Sequence, residues 1–360
     1  NSPAFNAGIR RGTRIIEVDG ADLLNGNTQS DFDTFNAGLF PEGNNELHSF
    51  VMLHPGDTSN SSFSMTSTAV TTSPVLMSDV KTTTTGKVGY LVFNSHVAAS
   101  EQQLVDVFTE FEAEGVSDLI LDLRYNGGGL LAIASQIAYM ITGAADTAGK
   151  IFESLIFNDQ HQVLSPITGI ELEPLPFIDE TVGFSAARGQ ALPSLGLRKV
   201  YILTGAKTCS ASESIINGLL GINIEVVLLG STTCGKPYGF VPFDNCGTTY
   251  FTIMIKGEND IGFGSYSDGF SPANTTGTRG VLVPGCSALD DLGNALGDVN
   301  EGLLATALEY RDTLACPTPP SAAAFGAEAF GAEAPFIKLI DSKILQQPFS
   351  MDFKVFGIPL

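Results

Sequence analysis

Two side chains in the middle of the chain, Ser210 and Lys236, have the types needed for acyl-transfer chemistry. A serine hydroxyl is a poor nucleophile at neutral pH and needs a base that accepts its proton. A partly buried lysine can act as that base, because desolvation lowers the lysine pKa and makes the neutral amine available. The pair therefore predicts attack of a serine on a carbonyl carbon.

The pattern around Ser210 indicates a strand that leads through a turn into a helix. Residues 199–204 form a short apolar run typical of a buried strand, and residues 210–220 have the composition of a helix. A helix N-terminus presents unpaired N–H groups and a positive dipole end, so the Ala211 N–H is a candidate oxyanion donor. A second strand, residues 224–229, precedes the turn that carries Lys236.

A glycine-rich turn earlier in the chain provides further candidates for the oxyanion hole. A predicted strand at 118–123 is followed by Asn126 and three glycines, and glycine allows positive φ and close backbone approach. Gly128 and Gly129 are therefore the expected donors beside Ala211. The turn matches neither glycine pattern of nucleotide-binding loops, which disfavours a phosphate site. Arg124, just before the turn, is expected to form a structural ion pair.

Three separated segments in this order resemble the C-terminal processing, or tail-specific, serine peptidases of family S41. The resemblance is carried by S-A-S-E from Ser210, by the Gly-Lys turn at Lys236 and by the stretch L-I-L-D-L-R-Y-N-G-G-G that ends at Gly129. It covers roughly residues 87–310. It implies a Ser/Lys dyad with Ser210 as nucleophile and Lys236 as base, and no metal or cofactor. It also implies protein substrates cleaved near their C-termini and a periplasmic or otherwise extracytoplasmic location.

The chain departs from this family at Phe240, because many members carry a glutamine four residues after the lysine, where it orients the base. Either another group positions Lys236 here, or the dyad is weaker than usual. The alternative function is a catalytically silent scaffold of the same fold that binds peptides or hydrophobic ligands. A third possibility, acyl-thioester chemistry, rests on the crotonase-like layout alone, and fold analogy does not fix function.

The expected fold is α/β, with a crotonase/ClpP-like α/β protease core and a small α+β domain before it. Residues 1–55 resemble a PDZ domain, a module that binds peptide ends by strand addition, but the strand and loop that hold the peptide carboxylate are missing. The predicted organisation is an incomplete PDZ-like domain at 1–55, a linker or connecting strands at 56–86, and the peptidase domain at 87–316. A low-complexity linker at 317–335 and an apolar tail at 336–360 follow, and the tail is expected either to pair with the PDZ-like domain or the cleft, or to form an edge strand.

Further elements of the core follow from local patterns. We expect a strand at 88–94, a helix with a Ser100/Gln103 capping box, and a strand at 248–256. The helix after the capping box places Leu104, Val107, Phe108 and Phe111 on one apolar face. Residues 294–310 are predicted to form a closing helix.

Composition excludes several classes of function. A net charge of −21 argues against nucleic acid and against an anionic membrane surface as partners. No apolar run approaches the ~20 residues that span a bilayer, and no signal peptide is visible, so a targeting segment is expected to have been removed. The four histidines lack metal-ligand or triad spacing, and His96 is expected to be structural.

The five cysteines leave two alternatives open. None forms a C-x-x-C pair, which disfavours zinc, and four of them suffice for two bridges in an oxidising compartment. Cys209 and Cys234 flank the proposed dyad, so a bridge between them would pin the two turns together. The alternative is that all five are reduced, small, buried residues. Cys209 as a rival nucleophile is disfavoured, because no histidine stands near it in the sequence.

Overall fold

The computed structural model describes residues 2–317 except 72, 166–168, 170, 241–242 and 278–279. These residues divide into two compact units, one formed by 2–71 and 291–301 and the other by 73–290 and 302–317. The predicted apolar tail, and the predicted linker beyond residue 317, lie outside the described residues. No helix in the described ranges has the length and apolar character required to cross a bilayer.

The first unit is a small α+β fold with an antiparallel sheet. Its elements are α1 (Pro3–Asn6), β1 (Arg14–Val18), β2 (Ala21–Asp22), α2 (Gln29–Leu39), β3 (Leu47–Leu53) and β4 (Ser61–Thr66). The strand order is β2-β1-β3-β4, and Val18, Phe35 and Phe50 meet in its core. Helix α2 begins at a capping box, in which Asp31 N donates to Thr28 Oγ1 (3.2 Å) and Thr28 N to Asp31 Oδ2 (2.9 Å). The predicted strand at 14–18 is confirmed.

The second unit contains the remaining helices and strands. In chain order they are β5 (Val75–Thr83), β6 (Gly86–Phe93), α3 (Ser100–Glu114), β7 (Asp118–Asp122), α4 (Leu131–Thr142), α5 (Ala144–Thr147), β8 (Ile151–Ile156), β9 (Leu175–Pro176), β10 (Lys199–Thr204), α6 (Ala211–Gly221), β11 (Glu225–Gly230), β12 (Tyr238–Phe240), β13 (Phe243–Asn245), β14 (Thr248–Tyr250), β15 (Ile253–Glu258), β16 (Phe270–Pro272), β17 (Val281–Val283), β18 (Gly285–Ser287) and α7 (Gly302–Thr313).

A six-stranded sheet in the order β18-β11-β10-β7-β6-β5 forms the centre of this unit. All neighbouring pairs are parallel except β5 with β6. The inner strands are almost continuously apolar, as expected for parallel strands buried on both faces. Helix α3 packs its predicted face, Leu104, Val107, Phe108 and Phe111, into the core. The α/β fold expected from the sequence is confirmed.

The parallel sheet fixes where the functional turns lie. Strands β6, β7, β10 and β11 all run in the same direction, so the turns that follow them emerge at one edge of the sheet. Ligand sites of open α/β sheets form at the carboxyl ends of the strands. These four turns carry His96, the glycines, Ser210 and Lys236, respectively.

A second sheet is antiparallel and has the order β12-β15-β8-β9; its strand β12 begins two residues after Lys236. The prediction of a single strand at 248–256 is wrong, because the two halves of this segment pair with different strands. Strand β14 pairs with β13 in a two-stranded hairpin, whereas β15 pairs with β12 and β8. Residues Phe251 and Thr252 form the break between the two sheets.

Two predicted helix starts need correction. Helix α7 begins at Gly302 rather than at residue 294, because Gly297 has a positive φ of 83° and the Asp298 carboxylate accepts from Asn300 N in a turn. The predicted capping box of α3 is also absent. Ser100 Oγ donates back to Val97 O, while the Gln103 side chain accepts from Val75 N.

A disulfide between Cys286 and Cys316 ties β18 to the segment after α7. Replacing both cysteines with alanine is expected to lower the free energy of unfolding by about 2–4 kcal/mol, because the bridge restricts a loop of roughly 30 residues in the unfolded chain. Urea denaturation of the two proteins measures this difference. The matched control is Cys246→Ala, which removes the exposed free cysteine and is expected to change stability by less than about 0.5 kcal/mol. Equal stability of the double variant and the wild type would contradict the prediction.

Candidate active site

Ser210 lies in a strained turn between strand β10 and helix α6. Its backbone angles, φ 57° and ψ −120°, are rarely adopted by a residue with a side chain and are costly to hold. A strained turn of this kind between a strand and a helix exposes the nucleophile at the top of the sheet in α/β-hydrolases. The Ser210 N–H donates to Glu213 Oε2 at 3.0 Å, which helps to fix the turn.

Glu213, the third residue of helix α6, connects the Ser210 turn to the Lys236 turn. Its side chain is completely buried. The oxygen Oε2 that accepts from Ser210 N also accepts from Lys236 N at 2.8 Å. The other oxygen accepts from Gly235 N at 2.8 Å and from Thr233 Oγ1 at 2.5 Å. Because a buried carboxylate must be hydrogen-bonded to be tolerated, this network holds the two turns in one arrangement.

Lys236 is half-buried beside this network. Burial lowers the pKa of its amine, and the negative charge of Glu213 opposes the shift without cancelling it. A larger fraction of the amine is therefore neutral at a given pH than in an exposed lysine, as the sequence predicted. The ammonium nitrogen lies 5.0 Å from the centre of the Phe240 ring, which occupies the position of the expected glutamine.

The glycine turn approaches the Ser210 turn closely. A Cβ at Gly128 would lie 2.7 Å from Cys209 O, 2.8 Å from Ser210 Cβ and 2.9 Å from Ala211 N, so no larger residue fits. The structure gives the Gly128 N–H an acceptor of its own, Asn126 Oδ1 at 2.9 Å. Gly128 therefore contributes close approach of the backbone rather than a free donor.

The other two predicted oxyanion donors are arranged differently. Gly129 pairs with His96 in a parallel bridge whose hydrogen bonds use Gly128 O and Leu130 N, which leaves the Gly129 N–H outside the bridge. Ala211 is the first residue of α6, and the first N–H groups of a helix have no intrahelical acceptor. These two N–H groups remain candidate donors for an oxyanion.

His96 is fully buried beneath the glycine turn and supports it, as expected for a structural histidine. Its Nδ1 lies 3.0 Å from Asn126 Oδ1, the oxygen that also binds Gly128 N, and Asn126 Nδ2 donates to Phe93 O at 2.9 Å. Burial lowers the pKa of His96 to about 4. The side chain is therefore neutral near pH 7 and keeps the glycine turn in place.

Arg124 forms the predicted structural ion pair. The residue is 3% exposed, and its guanidinium contacts Asp122 at 2.8 Å and Asp290 at 2.7 Å. Tyr90 donates a further hydrogen bond to Asp122 at 2.8 Å. The cluster anchors the start of the glycine turn to the end of β7 and to the segment at residue 290.

A disulfide joins Cys209 to Cys234, with Cα atoms 5.2 Å apart. It links the residue before Ser210 to the residue two positions before Lys236, and it confirms the bridge that the sequence left as one alternative. Both sulfurs and the Glu213 carboxylate lie within 4.8 Å of one another. Metal ions bind thiolates rather than disulfide sulfur, so this group is not a metal site while the bridge is intact.

The comparison with known families agrees with this geometry. Residues 87–244 match the model of peptidase family S41. This part of the chain is therefore similar to the peptidases of family S41. The matched residues carry the glycine turn, Ser210 and Lys236.

The curated relatives of this chain are named as processing peptidases. A chloroplastic C-terminal processing peptidase of Tetradesmus obliquus is 30% identical over 158 residues, 40% of this chain and 32% of that protein. A carboxyl-terminal-processing protease of Picosynechococcus is 25% identical over 236 residues, 65% of this chain and 48% of that protein. The chain thus spans a third to a half of the length of the curated relatives it matches.

A similar fold is also found among solved structures. A Bacteroides fragilis protein assigned to the S41 proteases superimposes with a TM-score of 0.66 at 23% identity. The match covers 88% of this chain and 76% of that one. The likeness shows that the matched part of this chain shares the fold of that structure.

Replacing Glu213 with glutamine tests the link between the two turns. The amide presents hydrogens where the carboxylate accepts from four donors, so at least one donor loses its partner. We expect the free energy of unfolding to fall by about 3 kcal/mol. The matched control is Glu225→Gln, since the Glu225 side chain is half-exposed and pairs with Lys199, and such a pair is expected to contribute less than about 1 kcal/mol. Urea denaturation of both variants measures the effect, and an equal loss in both would contradict it.

The buried His96 is expected to make the fold sensitive to acid. Its pKa is about 4 in the folded protein and near 6.5 when unfolded, so the unfolded chain binds one more proton between these values. Stability is therefore lost as pH falls from about 6.5 to 4, by roughly 3 kcal/mol in total. In His96→Gln this component is absent, and the difference between the two stability curves isolates it from all other titrating groups. A constant difference across this pH range would contradict the prediction.

Proposed function

We propose that the chain is a serine endopeptidase of the C-terminal processing type that works through a Ser210/Lys236 dyad. The observation that carries the proposal is the buried Glu213 carboxylate, whose one oxygen binds the N–H groups of both Ser210 and Lys236. The family assignment and the names of the curated relatives support the same reaction.

In the proposed reaction Ser210 Oγ attacks the scissile carbonyl carbon while the neutral Lys236 amine accepts the hydroxyl proton. The carbonyl oxygen becomes an oxyanion, stabilised by the Gly129 and Ala211 N–H groups. The lysine then gives its proton to the leaving amine, and an acyl-enzyme forms on Ser210. Water attacks this ester while Lys236 accepts one of its protons, and the lysine then returns that proton to Ser210 Oγ as the bond between Ser210 and the acyl group breaks. The product acid leaves and ionises to a carboxylate in solvent.

The proposed substrates are proteins or peptides, cut near their C-termini as the names of the relatives indicate. The net charge of −21 disfavours nucleic acid as a partner. Two disulfides are typical of an oxidising compartment, which supports a periplasmic or otherwise extracytoplasmic location. We propose that the first unit selects or gates substrates, in keeping with its PDZ-like sequence.

Digestion of an unstructured protein such as casein by wild type and by Ser210→Ala tests the reaction. We expect the variant to lose at least about 10³-fold in kcat, because the attacking atom is gone. Ser231→Ala is the matched control, since Ser231 is an exposed serine just after β11 and is expected to leave the rate unchanged.

Intact-mass analysis after treatment with a serine-directed phosphonofluoridate distinguishes the alternatives. The proposal expects one adduct on the wild type and on Ser231→Ala, and none on Ser210→Ala. Cleavage that persists in Ser210→Ala would identify another nucleophile or a contaminant. A wild type that neither cleaves nor forms the adduct would favour the silent scaffold.

A further inference from the structure

The aromatic ring of Phe240 lies next to the amine of Lys236. The ammonium nitrogen lies 5.0 Å from the ring centre, within the range of a cation–π contact. Neither residue is fully exposed, so water competes less for the ammonium than at an open surface. The ring thus stands where a side-chain amide was expected, and it offers the amine a different kind of contact.

The ring itself is fixed from two sides. Its backbone belongs to β12, where Phe240 is paired with Ile253 of β15 beside a bulge. The Phe251 ring packs edge-on against it, with centroids 5.4 Å apart and planes at 81°. A ring held in this way presents its face at a defined place, which a freely rotating exposed side chain would not.

We propose that Phe240 is the positioning residue for Lys236, because its ring holds the lysine amine over the ring face. This inference rests on the proposed function, because it assigns a role within the same dyad. The negative face of the ring attracts the ammonium form and limits the directions in which the lysine side chain can swing.

The ring acts on the lysine in two opposite ways. Its quadrupole favours the charged amine, whereas its apolar volume excludes water and favours the neutral amine. Within the part of the chain that the structure describes, the charge of Glu213 in α6 raises the pKa of Lys236 against the effect of burial. On the neighbouring strand β15, Lys256 is paired with Glu258 at 3.0 Å. Substitutions that keep an apolar side chain but remove the π face therefore separate the effect of the ring quadrupole on the pKa of Lys236 from the effect of water exclusion.

The direct test measures the ionisation of Lys236 itself, in the full chain with Ser210→Ala so that turnover plays no part. Acetylation by acetic anhydride is followed against pH by peptide mass spectrometry, with the exposed Lys207 as internal reference. Phe240→Leu keeps an apolar side chain and is expected to move the Lys236 midpoint about 0.5–1 pH unit lower. Phe240→Tyr retains the π face and is expected to stay within about 0.3 unit of the wild type.

Two further proteins keep the test independent of folding defects. Trifluorophenylalanine at position 240 retains the shape of the ring but weakens its negative face, and it is expected to shift the midpoint in the same direction as Phe240→Leu. Tyr250→Leu removes an exposed aromatic side chain from the adjacent hairpin and is expected to leave the midpoint unchanged.

The pH dependence of kcat/KM is expected to shift in the same direction as the acetylation midpoint. In the enzyme with Ser210 present, the acid limb of kcat/KM is expected to move to lower pH in Phe240→Leu and to stay in place in Phe240→Tyr. Midpoints that are equal in wild type, Phe240→Leu and the fluorinated protein would overturn the role of the ring. Because acetylation reports on Lys236 without turnover, that result is distinct from an absence of peptidase activity, which would instead overturn the proposed function.

Discussion

The structure of the site depends on one buried carboxylate. Glu213 accepts hydrogen bonds from the backbone of both functional turns, and its four donors come from segments that the chain places more than 20 residues apart. Parallel strand pairing brings the turns to one edge of the sheet, but it does not fix their separation. The carboxylate does so, because leaving any of these donors unpaired in a dry environment costs free energy.

The same carboxylate limits how far burial can lower the pKa of Lys236. A lysine base must be neutral, and burial lowers its pKa, whereas the charge of Glu213 raises it. The net shift is downward, so desolvation is the larger effect. The Cys209–Cys234 disulfide provides a second, covalent link between the same two turns. It holds them together without adding a charge next to the lysine amine.

The sequence predicted the elements more completely than the contacts between them. Apolar runs with short turns located β10, β11 and the Ser210 helix, since these patterns reflect burial that each segment must achieve on its own. Glu213 was missed as a link, although its place at the third helical position of S-A-S-E was visible, because its partners lie on another turn. The hydrogen bond from Gly128 N to Asn126 Oδ1 was not predicted either, because a local pattern does not show which acceptor a backbone N–H will find.

The errors at helix starts have a related cause. Residues 294–301 share the composition of the helix that follows them, and only the positive φ of Gly297 and the turn at Asp298 separate the two. At Ser100 the expected cap failed because Gln103 found a partner on β5, a tertiary contact that a local pattern does not contain. Local propensity is a weak guide wherever tertiary hydrogen bonds compete for the same side chains.

The most direct test of the dyad is the rate at which Ser210 is phosphonylated, measured against pH in wild type and in Lys236→Met. The account predicts that the wild-type rate rises as Lys236 loses its proton, with a midpoint below the ordinary lysine value of 10.5, since burial lowers its pKa. It also predicts that Lys236→Met, which keeps the length but not the base, reacts at least about 100-fold more slowly. An equal rate and pH profile in the two proteins would show that Lys236 does not activate Ser210.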